Sequence, residues 1–126
     1  MLKNESVINI ADNTGAKKAK IIRILKGSTG KTATVGDSVV VAVKDAMPNG
    51  SAKKGMVTQA IIVRVKKEIP RKDGSYIRFE DNAAILMTKN EKGEMSPIGK
   101  RIFGPVAKEL RELGYRNITN MAEEVL

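Results

Sequence analysis

Met56-Val57-Thr58-Gln59-Ala60-Ile61-Ile62-Val63-Arg64-Val65-Lys66-Lys67 is the stretch on which the fold turns. Counted by twos, Ile61, Val63 and Val65 fall on one face and Ile62, Arg64 and Lys66 on the other. That is the period of a strand, because successive side chains on an extended backbone point to opposite sides.

Working outward, more strands come into view. Residues 6–11 alternate and stop at Asp12-Asn13-Thr14-Gly15, a strong turn cluster. Residues 19–25 are β-branched and include Arg23, residues 37–43 form a nearly continuous apolar run suited to a central strand, and residues 76–79 and 83–88 follow. Asn49-Gly50 and Asp73-Gly74 are dipeptides that favour hairpin turns, since glycine accepts positive φ without a steric penalty. Short strands separated by such turns predict a mainly β fold whose sheet closes on itself, a barrel or a sandwich. The Asp73-Gly74 turn, between the basic run of residues 66–72 and Tyr76, predicts a basic ribbon that projects from the barrel.

Near the end the period changes. Gly104-Pro105 reads as a helix start, with Pro in the first turn where its missing N–H costs nothing. Val106, Leu110 and Leu113 recur at i, i+4 and i+7, and Gly114 is placed to end the helix. A second short helix is predicted over 120–125. With no repeat, low-complexity tract or linker, the 126 residues read as one domain, a barrel over about 1–100 and a helical tail over about 104–126 packed on it.

Charge narrows the function. The first 72 residues carry 15 Lys/Arg against 5 Asp/Glu, and the remaining 54 carry 8 against 9, which together give the net +9. A one-sided positive field destabilises the compact state, whereas a phosphate backbone turns each cation into binding free energy through counterion release. Hydrophobic residues make up 41%, enough for a core and too many for a disordered basic tail. No apolar run reaches the ~20 residues of a membrane span, so no membrane partner is expected. The start lacks a signal or transit pattern, so an organellar copy would be the mature form.

The chain has no Cys and no His. That removes disulfides, thiolate nucleophiles, the usual general base and the common zinc ligands. Gly27-Ser28-Thr29-Gly30-Lys31-Thr32 has two residues between its glycines where a phosphate-binding loop has four, and a strand pattern follows it, so it reads as an exposed basic loop. Asp12, Asp73, Glu80 and Asp81 could be imagined around magnesium in a nuclease, but Asp73, Asp81 and Asp12 suit turns. No cofactor, metal or enzymatic activity is expected.

The basic residues carry the functional reading. Arg23, Arg64 and Lys66 lie on strands, where the two-residue period would align them on one face, and Lys17, Lys18, Lys44, Lys53, Lys54, Lys67, Arg71, Lys72 and Arg78 extend the same field. Aromatics are only 3%, too few for platforms that stack single-stranded bases, and Phe79 and Phe103 read as core or anchor residues. Nothing suits a DNA major groove. What remains is recognition of folded RNA through phosphates and 2′-hydroxyls, with Arg as forks and Lys as point charges. Two other classes stay open at this point, a free RNA-binding translation or chaperone factor and a magnesium-dependent nuclease.

Three segments together resemble one family. They are residues 11–16 (ADNTGA), 71–84 (RKDGSYIRFEDNAA) and 101–112 (RIFGPVAKELRE), joined by Val35-Gly36-Asp37 and the closing Glu124-Val125-Leu126. In this order they are similar to the large-subunit ribosomal protein fourteen family of bacterial and organellar type, nearly end to end. The resemblance implies a five-stranded β-barrel with a projecting ribbon and a C-terminal helical region, located in the large ribosomal subunit and without catalysis. It implies binding to large-subunit rRNA, a bridge to small-subunit rRNA, large-subunit ribosomal proteins three and nineteen as neighbours, and docking of a ribosome-silencing factor. The cations named above are then the rRNA-binding set, and Lys100, Arg101, Phe103, Lys108 and Arg111 the subunit-interface and protein-contact set. The chain departs from the family in a less basic loop at 28–32, a longer stretch at 90–98 with no Arg before Gly99, and Glu123 in place of a common Pro.

Overall fold

The computed structural model describes residues 2–25 and 32–126; the loop read above as exposed and basic falls almost wholly outside them. Among the described residues, ten strands and two short helices run in the order β1 (Val7–Ile10), β2 (Ala16–Ile24), β3 (Ser38–Ala46), β4 (Val57–Arg64), β5 (Ile69–Pro70), β6 (Tyr76–Ile77), β7 (Ala83–Lys89), β8 (Met95–Pro97), β9 (Ile102–Val106), α1 (Glu109–Glu112), α2 (Arg116–Thr119) and β10 (Ala122–Val125). The main sheet is ordered β1-β2-β3-β4-β7-β8, and β1 also pairs with β7. That last pairing closes a five-stranded barrel, with β8 appended outside the ring. The neighbours are antiparallel except at the closing seam, where Asn9 and Ile10 run parallel to Ala83 and Ala84.

Alternation places the core. Val39, Val41 and Val43 of β3 are buried, and the residues between them are half-buried. The decisive stretch behaves differently at its centre, where Ala60, Ile61, Ile62 and Val63 are all buried. The barrel interior takes one face. The other is covered by the loop before β3 and the C-terminal segment, since Gly36 N–H donates to Ile62 O (2.8 Å) and Ala107 N–H to Val63 O (3.1 Å). A single hydrophobic cluster runs from Leu2 through the barrel to Leu110 and Ile118.

The Asp12-Asn13-Thr14-Gly15 turn is more than a punctuation mark. Asp12 is buried, and its carboxylate accepts from Thr14 Oγ1 (2.6 Å), Thr14 N–H (3.3 Å) and, across the β1–β7 seam, Leu86 N–H (2.9 Å). Burial raises its pKa above the ordinary 3.8, against the lowering effect of those hydrogen bonds. Asn49-Gly50 lies in the β3–β4 connection without positive φ; Gly50 is needed because a Cβ there would sit 2.4 Å from Thr14 O and 2.8 Å from Gly15 Cα. Gly55 instead takes the positive φ of that connection.

The C-terminal prediction needs correction. Gly104-Pro105 does not open a helix: both residues lie within β9, and the first helix starts at Glu109. Residues 120–125 are not helical either, for Ala122–Val125 forms β10 and pairs in parallel with β9. The helix end was placed correctly. Gly114 at φ +91 follows the C-cap Leu113, its N–H donates to Arg111 O (3.1 Å) and Tyr115 N–H to Leu110 O (2.9 Å). This Schellman arrangement satisfies carbonyls the helix leaves open. Leu110 is fully buried, whereas Leu113 is 58% exposed and lies over Gly36.

Candidate nucleic-acid interface

The cations divide into exposed and internally engaged. On β2, Ala16, Ala19, Ile21 and Ile24 point inward and leave Lys17, Lys18 and Arg23 exposed. Lys18 pairs with Asn9 on one side and Asp45 on the other, next to exposed Lys44. Ala16 faces Ala46, so the connection carrying exposed Lys53 and Lys54 leaves the same end of the hairpin. Lys53 Nζ donates to Pro48 O (3.0 Å). Lys17, Lys18, Lys44, Lys53 and Lys54 therefore gather at one end of the barrel, with Arg23 towards the other end of β2.

A second group lies around the ribbon of β5 and β6, in which Ile69 faces Ile77 and Pro70 faces Tyr76. Lys66, Lys67, Lys72 and Arg78 are exposed, and Lys66 and Arg78 flank a shallow cleft with Phe79 and Glu80. Asp73 orders the ribbon tip by accepting from Ser75, and that side-chain hydrogen bond is the main reason its pKa lies below 3.8.

Two arginines read from sequence as RNA contacts are engaged inside the protein. Arg64 meets Asp81 with two nitrogens, Nε to Oδ1 at 2.6 Å and Nη2 to Oδ2 at 3.2 Å, while Nη1 donates to Phe103 O (2.9 Å) and Pro105 O (3.0 Å). Four of the five N–H donors a guanidinium owns are thus used. Asn9 Nδ2 completes Asp81 Oδ2 at 2.9 Å, and the Arg64 hydrogen bond is the main cause that holds the Asp81 carboxyl below its ordinary pKa. Arg71 likewise donates from Nη2 to Glu109 Oε1 (2.9 Å) and to Leu126 O. Its Nε and Glu109 Oε2 are buried without partners.

The expected single row of Arg23, Arg64 and Lys66 is therefore absent. Arg23 lines up with Val40 and, across β3, with Gln59; Arg64 turns in to Asp81; and Lys66 lies past the end of β4.

The interface set clusters around β9 and α1. Lys100, Arg101, Lys108 and Arg111 are exposed, and Phe103 is 50% exposed, a surface residue where a core or anchor role was read. Phe79 is buried as expected. Sequence reasoning missed Asn13, whose Oδ1 accepts from Lys100 N–H (2.9 Å) and Arg101 N–H (3.3 Å) and whose N–H donates to Arg101 O (3.2 Å). The turn chemistry of Asn was the available signal, but its long-range partners were not visible. Three of the carboxylates considered for magnesium are engaged by the protein itself: Asp12 by the turn and β7, Asp73 by the ribbon tip, Asp81 by the Arg64 guanidinium.

Comparison with known proteins accords with this architecture. The profile of the family described as ribosomal protein L14p/L23e matches residues 1–126. A protein of Petrotoga mobilis (strain DSM 10674 / SJ95), described as large ribosomal subunit protein uL14, is 54% identical over 125 residues that span 99% of each chain. A full-length family match and a relative this close, on a closed barrel whose free cations lie outside, leave one conclusion: the chain belongs to the ribosomal protein L14p/L23e family.

Proposed function

We propose that this chain is a structural constituent of the large ribosomal subunit, folded as one domain, that binds large-subunit rRNA and helps to bridge it to small-subunit rRNA. The observation that carries the reading is the separation of cations: Lys17, Lys18, Lys44, Lys53, Lys54, Lys66, Lys67, Lys72 and Arg78 stand exposed on a rigid β framework. Such a framework offers fixed charges to a folded backbone at little ordering cost. Family membership supports the ribosomal setting. Its protein neighbours in this reading are large-subunit proteins three and nineteen, with a ribosome-silencing factor as a docking partner at the segment holding Lys100, Arg101, Phe103, Lys108 and Arg111. The role is scaffolding, not catalysis.

The test is a salt titration of the purified protein on large-subunit rRNA, together with sedimentation of washed particles. Neutralising roughly 6–10 phosphates gives a log–log slope on the order of −5 to −9, and the protein should stay with large subunits through a moderate salt wash. A flat salt response rejects phosphate binding. Release in the wash assigns the chain to the soluble factors instead.

A further inference from the structure

The segment from Gly99 to Val106 presents Lys100, Arg101 and Phe103 outward with little ladder of its own. Among the described residues β9 ladders with β10, in a register that shifts between Ala122 and Glu124, and meets the barrel backbone at a single antiparallel bridge, Ile102 opposite Asp12. On its barrel side Pro105 has no N–H to give, and Gly104 sits at φ +82. Phe103 N–H reaches Ala11 O (2.6 Å), and the next backbone anchor is Ala107 N–H on Val63 O (3.1 Å). Between these two points the guanidinium of Arg64 takes the place of a neighbouring strand: its Nη1 spans the carbonyls of Phe103 and Pro105. The fit is close enough that a Cβ on Gly104 would lie 2.9 Å from that nitrogen. At the other end Asn13 holds both amides and one carbonyl of the Lys100–Arg101 pair, and a Cβ on Gly99 would lie 2.8 Å from Asn13 Oδ1.

We propose that Arg64 and Asn13 are positioning residues for subunit joining: two side chains of the barrel that preset the Gly99–Val106 segment without touching the partner subunit. The inference rests on the interface reading of Lys100, Arg101 and Phe103 above. It reassigns Arg64, whose charge is already matched by Asp81, from phosphate binding to shaping the bridge. Asp81 and Asn9 orient the guanidinium in turn. A lysine at 64 keeps the charge but cannot meet a carboxylate with two nitrogens and also span two carbonyls.

The test uses large subunits carrying Arg64→Lys, Asn13→Ala or Phe103→Ala, with folding of each free protein checked by its thermal transition. Arg64→Lys should leave the rRNA salt slope unchanged, speed amide exchange at Phe103 in the free protein and weaken association with small subunits by about tenfold, the scale of losing one or two charge-assisted hydrogen bonds. Asn13→Ala should do the same through the Lys100 and Arg101 amides, and it carries the test if Arg64→Lys does not fold. Normal joining by Arg64→Lys and Asn13→Ala while Phe103→Ala is impaired overturns the proposal. So does a salt slope that drops by about one unit in Arg64→Gln but not in Arg64→Lys, which would make Arg64 a phosphate contact. If Phe103→Ala, Lys100→Ala and Arg101→Ala all join normally, it is the interface reading that has failed, and the bridging role of the two residues fails with it.

Discussion

The barrel wall and the C-terminal segment are both built of strands, yet they are held in different ways. In the wall, β2, β3, β4 and β7 each have a strand on both sides, and the side chains between them are aliphatic and buried. Beyond Gly99, β9 and β10 ladder with each other, the barrel backbone meets them at the Ile102–Asp12 bridge and at Ala107, and side chains of distant residues supply the other partners: Asn13, Arg64 and Arg71. A redundant ladder tolerates the loss of any one polar contact but not of core volume. A segment mounted on a few side chains has the opposite sensitivity.

The largest effect should come from the wall. Leu86→Ala, in a fully buried position of β7, should cost about 3 kcal/mol in denaturant unfolding, transfer and cavity terms together; a cost below about 1 kcal/mol would mean the core is not packed as described. Next comes the mount. Arg64→Ala leaves Asp81 with Asn9 alone and two carbonyls without their donor, and should cost about 2 kcal/mol, with amide protection lost first in residues 102–106. Equal loss across the barrel would erase the distinction between the two regions.

The same pair has an acid signature. Asp81 has a folded pKa below 3.8, so its stabilisation is complete above 3.8 and is lost as pH falls through the lower folded value. Asp12 runs the other way: its pKa is raised by burial, so protonation favours the fold as pH falls through the raised value. Asp81→Asn should therefore flatten the low-pH loss of stability, measured as thermal midpoint against pH. An unchanged acid limb would show that the pair contributes nothing to it.

Gly114→Ala should cost about 1 kcal/mol. At φ +91 the price is conformational, for nothing lies within 4 Å of a Cβ there. The smallest stability change belongs to Lys17→Gln and Lys18→Gln, within about 0.5 kcal/mol, although each should lower the rRNA salt slope by about 0.9 if it meets a phosphate.

What the linear chain disclosed follows the same division. The strands of the wall were legible because a two-residue period and turn dipeptides are local signals; β1, β3 and β7 lie where they were read, within a few residues at their ends. Gly104-Pro105 misled because a proline suits a first helical turn and an edge strand equally well, and the decision is made by Arg64, 39 and 41 residues away in sequence. Glu123 and Glu124 favour helix locally, yet parallel pairing with β9 overrides that preference. Exposed lysines were legible as free charges. Arg64 and Arg71 were not, because their carboxylate partners stand 17 and 38 positions on.

The parallel seam between β1 and β7 has a temporal consequence. Asn9 pairs with Ala83, and Asp12 bonds Leu86 across 74 positions. A chain emerging from its N-terminus therefore carries its first strand with one edge open until most of the molecule has been made. Ring closure must be a late, non-local event, and until then that open edge is where a nascent copy is most exposed to pairing with the wrong strand.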